Sequence, residues 1–255
     1  MNDNKKNFEP LVVVLDGGAH AGAVHPGFVS YLKENQVHIS TIAGISIGSL
    51  VSAGLCNGIT EEGMRNFFLE QFGNGYVRAT RPPFRSPQRM MLGGVVDQVP
   101  VMRKLVDELG WTRRENHRPI AFDLLTRQPY VFEGEYDLAT ALAASCSPYP
   151  LFRPVKYRDT VGKLHFLVDA CAYLAHKRIF EERTIIARIF NVGLRRAQKD
   201  ETGVLIGYPN TKVIRRLSPT EYEQYWQHGH RSAAEKLSSL LAQGQLPVLG
   251  EPLKR

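Results

Sequence analysis

Glycines at 44 and 48 around Ser46, set between two apolar runs, constrain this chain more than any other stretch. The run Val37 to Ile42 leads in and is β-branched, as a strand requires. The run Ile47 to Leu55 leads out with small and apolar residues, as a buried helix requires. A strand, a sharp turn carrying serine and then a helix make a nucleophile elbow. Side chains at 44 or 48 would crowd that turn. The helix start, with its partial positive charge, points at the place where an oxyanion would form. By itself the pattern fits any serine hydrolase.

The same alternation of strand and helix is visible upstream. Leu11-Val12-Val13-Val14-Leu15 is continuously apolar, which predicts a strand covered on both faces and hence an α/β fold. The loop Gly17-Gly18-Ala19-His20-Ala21-Gly22 then enters a helix with Val24, Phe28 and Leu32 on its inner face. This loop lacks G-x-G-x-x-G spacing, and no Gly-Lys-Ser/Thr follows, so it is neither a dinucleotide nor a Walker loop. Its bare backbone N–H groups suit an oxyanion or another anion.

A helix is expected over Glu61 to Phe72. Residues 73–118 then carry nine arginines and lysines against four acids, with Phe84, Met90, Met91 and Leu92 interleaved. That mixture predicts a cap or insertion that meets a lipid surface. Strands are expected at Ile120 to Leu125, Tyr130 to Phe132 and Ile185 to Val192, and a helix over Tyr136 to Ala144. A hairpin is expected over Lys156 to Val168. A long amphipathic helix, about 218–242, opens on a capping box of Ser218, Pro219 and Glu221.

With 255 residues, 43% of them hydrophobic, the chain reads as a single domain over 1–255. No apolar run approaches the roughly 20 residues of a membrane span, and Leu11 to Leu15 is too short for a signal segment. A cytoplasmic or peripheral membrane location is expected. Three cysteines without CxxC spacing predict free thiols and no metal site. The net charge of +7 favours polyanions. No nucleic-acid motif is present and no Lys/Arg block exceeds two residues, so an anionic membrane surface is the expected partner rather than nucleic acid.

A nucleophilic serine needs a base. In the order Ser, acid, His, the candidates are His176, His228 and His230. A carboxylate acting directly is the alternative. Asp169 fits, at the end of the apolar Phe166-Leu167-Val168 and before small residues, where an apolar flank raises its basicity.

Together these segments resemble the patatin-like phospholipase family. Asp16-Gly17-Gly18-Ala19 through His25-Pro26-Gly27 is similar to its glycine-rich oxyanion block and His-x-Gly. Gly44 to Gly48 resembles its nucleophile block. Ala144-Ser145 through Pro148, Phe152 and Pro154 resembles its Ala-Ser…Pro…Phe-x-Pro loop. Val168-Asp169-Ala170 stands where the family has its catalytic Asp, usually followed by Gly. The resemblance implies a three-layer α/β/α sandwich with a mostly parallel central sheet. It implies hydrolysis of acyl esters of lipid substrates, without metal or cofactor, by Ser46 with Asp169 as base. Gly17, Gly18 and Ala19 would then form the oxyanion hole, with the Ile47 N–H as a helper. Ala19 replaces the family's third glycine, and Ala21 its cation. Those departures keep open a second expectation: a catalytically weak relative that binds lipid or a partner.

Overall fold

The computed structural model describes residues 10–76, 96–171, 173, 179–189, 201–205 and 217–248. Strand β1 (Leu11–Leu15) is followed by a 3-10 turn (Ala19–Ala23) and helix α1 (Val24–Glu34). Then come β2 (Thr41–Ile45), α2 (Ile47–Cys56), α3 (Glu61–Asn66) and a π-helical stretch (Phe67–Tyr76). Next are α4 (Gln98–Leu109), β3 (His117–Asp123), β4 (Gln128–Val131) and α5 (Leu138–Ser145). The hairpin β5 (Val155–Arg158) and β6 (Leu164–Asp169), the strands β7 (Arg183–Arg188) and β8 (Glu201–Leu205), and α6 (Pro219–Ala242) complete the fold.

The expected mixed α/β architecture is observed. Seven strands run in the order β5-β6-β3-β2-β1-β7-β8, with β4 paired to β3 off this path. The centre is parallel: β1 pairs with β2 and β7, β2 with β3, and β7 with β8. The antiparallel strands β4, β5 and β6 gather at one side. Every residue of β1 is buried, as its unbroken apolar run demands. Leu11, Val13 and Leu15 share the main core with Phe28, Leu50, Met102, Leu142 and Tyr225. Val12 and Val14 face the other way, into a smaller cluster with Ile45, Ile120, Ile186 and Phe180.

Helices α1 and α6 cross closely. A Cβ on Gly27 would lie 1.9 Å from the Trp226 carbonyl oxygen, and one on Gly229 would lie 1.9 Å from that of Val24. Glycine at these two positions lets the backbones touch. The expected capping box at Ser218 and Glu221 is formed, the expected inner face of α1 is buried, and α6 buries Tyr222, Tyr225, Ala233 and Leu237.

Two expectations shift. The strand leading to the serine begins at Thr41 rather than Val37. Its register is set by pairing with β1, whereas Val37 bridges only to Val248. The segment 73–118 divides: 77–95 lies outside the described residues, and 98–118 is part of the packed body. Met102, Leu105, Val106 and Trp111 are buried. Three of its four arginines are ion-paired as well: Arg103 with Asp137, Arg113 with Glu135 and Arg118 with Glu133. Among the described residues, no helix is long and apolar enough to cross a membrane.

Candidate active site

The site is assembled at the C-terminal ends of the parallel strands, where strand order reverses around β1. β2 ends at Ile45 and α2 begins at Ile47, so Ser46 alone makes the turn, at φ 54° and ψ −126°. That is a strained backbone for a serine, of the kind held at functional sites. The flanking glycines are explained by contact. A Cβ on Gly44 would stand 2.3 Å from the Gly48 carbonyl, and one on Gly48 would stand 2.0 Å from the Leu15 carbonyl oxygen. The elbow is pressed against both its own helix and the end of β1.

Asp169 ends β6, level with Ala121 of β3. Its carboxylate accepts a hydrogen bond from the Ser46 hydroxyl and another from the Cys171 N–H at 2.8 Å. Burial pushes the Asp169 carboxyl above the ordinary aspartate range, opposed by the bonds from Ser46 and Cys171. The Cys171 thiol also bonds to Asp169, and burial and that carboxylate hold it protonated. Gly17 makes room for this arrangement, since a Cβ there would lie 1.9 Å from Cys171 Sγ and 2.9 Å from Ser46 Cβ.

The glycine-rich loop lies directly beside Ser46. The Gly17 N–H is already taken by Asp16 Oδ1 at 2.8 Å, so this expected oxyanion donor has a competing partner. Gly18 caps the 3-10 turn and Ala19 is its first residue, where N–H groups have no partner within the turn. Ala19 sits at φ 50°, in the left-handed region that glycine adopts freely and alanine does not. His25 anchors the loop: its Nε2–H donates to the Asp16 carbonyl at 2.7 Å. Burial lowers its pKa from 6.5 to about 4, so the ring is a neutral strut.

Sequence reasoning assigned no role to the buried hydroxyls under the elbow. Ser145, the last residue of α5, accepts the Ser46 N–H at 2.9 Å. It donates to the Ile120 carbonyl at 2.7 Å and touches Ser49 Oγ at 2.6 Å. Ser49 also reaches the Gly44 carbonyl. Their signal was three serines, 49, 52 and 145, lying within otherwise apolar helices.

Of the alternative histidine bases, His228 and His230 lie on α6. His230 lies 2.7 Å from Glu34 and stacks on Trp226. His176 lies outside the described residues. The three cysteines are free, and no cluster of metal-binding side chains occurs among the described residues.

A serine on a strained strand–helix elbow, a carboxylate beside it and a bare loop alongside, all on a mostly parallel sheet, are the furniture of a hydrolase. A family model, patatin-like phospholipase, matches residues 13–173, and the chain belongs to that family of enzymes. No curated protein sequence matches it closely enough to stand as a relative. Among solved structures, VipD from Legionella pneumophila superposes with a TM-score of 0.52 at 12% identity, covering 91% of this chain and 67% of that one. ExoU of Pseudomonas aeruginosa, in its complex with SpcU, gives 0.45 at 15% identity, covering 92% and 52%. The VipD likeness is one of fold, and the chain spans between about half and two thirds of these structures.

Proposed function

We propose that this chain hydrolyses acyl esters of phospholipids or related lipids through an acyl-enzyme on Ser46, with Asp169 as the base. The observation carrying this reading is the Ser46–Asp169 hydrogen bond at the strained elbow. Ser46 Oγ attacks the ester carbonyl carbon as its proton passes to Asp169. The Gly18 and Ala19 N–H groups, with that of Ile47 at the start of α2, hold the oxyanion. One such donor is worth about 3 kcal/mol. Collapse breaks the ester bond, and the leaving alcohol takes the proton from Asp169. Water then attacks the acyl-enzyme, giving its proton to Asp169, and Ser46 leaves reprotonated as the fatty acid departs. Raised basicity suits Asp169 to this cycle better than an ordinary carboxylate. The route uses neither metal nor cofactor. The net charge of +7 favours action at an anionic membrane surface, with no role for nucleic acid.

A second reading, weak catalysis with retained lipid or partner binding, is favoured by one observation: the loop carries alanine at a positive φ and has its Gly17 N–H occupied. Assays separate the two. Wild type, Ser46→Ala and Asp169→Asn are compared on short-chain nitrophenyl esters and phospholipid vesicles, with a fluorophosphonate label on Ser46. Activity lost in both variants supports the dyad. An inert, unlabelled wild type would sink the enzyme reading.

A further inference from the structure

Four large apolar side chains stand exposed among the described residues: Leu125 (58%), Tyr149 (41%), Leu151 (41%) and Val161 (85%). All four belong to the side of the sheet that carries Ser46. Ile45, the residue before Ser46, is level with Ile120 of β3. β3 continues to Asp123, about 10 Å further at 3.3 Å per residue, and Leu125 sits in the turn beyond. β6 runs antiparallel to β3, with Asp123 opposite Leu167. The β5–β6 turn bearing Val161 therefore reaches further out still. The loop with Tyr149 and Leu151 starts at the dyad, where the Ser147 carbonyl accepts the Asp169 N–H at 2.9 Å.

The two outer turns are clamped together from inside. Asp123 accepts the Leu125 N–H at 3.1 Å and the Thr126 hydroxyl at 2.9 Å. Asp159 accepts the Val161 N–H at 3.1 Å and the Lys163 N–H at 2.8 Å. Between them lies the buried His165, its Nδ1 3.0 Å from Asp123 and its Nε2 3.2 Å from Asp159. The clamp thus holds the backbone of both apolar tips in place. It also turns both carboxylates inward, while Arg127, Lys156, Arg158 and Lys163 remain exposed around the tips.

We propose that the β3–β4 and β5–β6 turns form a two-pronged foot. Leu125 and Val161 enter an anionic lipid surface, the surrounding cations meet its headgroups, and the lipid ester is presented to the Ser46 rim. This rests on the lipid-ester reading above. Two convex aliphatic tips ringed by cations suit a deformable anionic surface. Two aliphatic side chains by themselves present far less apolar area than the roughly 1,000 Å² of a specific protein interface.

The test uses the full chain with vesicles of phosphatidylcholine alone or mixed with phosphatidylglycerol, comparing wild type with Leu125→Asp/Val161→Asp. Wild type should bind the anionic vesicles better, and the double variant should lose about tenfold or more in affinity. Its fluorophosphonate labelling and its hydrolysis of a water-soluble ester should be unchanged, which also reports an intact fold. The proposal is overturned if the double variant binds as wild type does, or if wild type binds no vesicles. It is equally overturned if the tips instead mediate self-association, seen as a sedimentation change between wild type and variant. Tip-dependent vesicle binding by a protein that neither labels nor hydrolyses esters would uphold the foot while removing the hydrolase reading.

Discussion

Ser145 Oγ accepts the backbone N–H of Ser46 across 99 residues of sequence. The bond holds the one strained residue of the elbow from below, and the same hydroxyl donates to Ile120 on β3. Helix α5, strand β3 and Ser46 are thereby tied at one fully buried side chain.

Ser145→Ala should leave the Ser46 N–H buried without a partner, at about 1–3 kcal/mol of stability. On a soluble ester kcat should fall about tenfold or more while KM changes little, because a misaligned nucleophile loses transition-state geometry rather than substrate binding. Unchanged kcat in a folded variant would remove the positioning role.

Asp169→Asn should abolish turnover and, at neutral pH, raise thermal stability. The folded pKa of Asp169 lies above its unfolded value. Its contribution is therefore favourable when protonated, and is lost as pH rises from the unfolded value through the folded one. The neutral amide avoids that loss. In wild type, activity should rise with pH across a midpoint above the ordinary aspartate range. A pH–rate profile and melting curves check both expectations.

Ala19→Gly should stabilise the fold by about 0.5–1 kcal/mol, as relief of the left-handed penalty outweighs the extra freedom of the unfolded chain. Turnover should hold or improve, since the backbone that presents the oxyanion donors is unstrained. A lower melting temperature would contradict this account.

His25 and His117 are both buried, and burial lowers each pKa from 6.5 to about 4. The unfolded chain takes up their protons first, so stability should fall with pH from about 6.5 down to about 4. The loss is about 3 kcal/mol for each ring. Denaturant unfolding across this range measures the slope, and His117→Leu should roughly halve the part due to these two rings.

The local elements were largely legible. β1 announced itself through five apolar residues, α6 through its capping box, and the elbow through glycines that contact leaves no room to replace. The β2 boundary was misplaced by four residues because Val37 is as β-branched as a strand residue, and only pairing with β1 selects Thr41. Gln98 to Arg118 read as part of a cationic cap because charge is visible in sequence, whereas the ion partners Asp137, Glu135 and Glu133 are brought in by folding.

The sequence by itself determined the kind of chemistry: a serine on a glycine-flanked turn, a bare loop before a helix, and a carboxylate closing an apolar strand. Those are consequences of residue type and near spacing, which sterics and backbone hydrogen bonding impose locally. Only the tertiary structure decided which groups meet. It brought Asp169 to Ser46 by pairing β6 antiparallel to β3. It placed Ser145 beneath the elbow and joined two distant turns through His165. Each of these depends on strand register and burial between residues far apart in the chain, which no local pattern encodes.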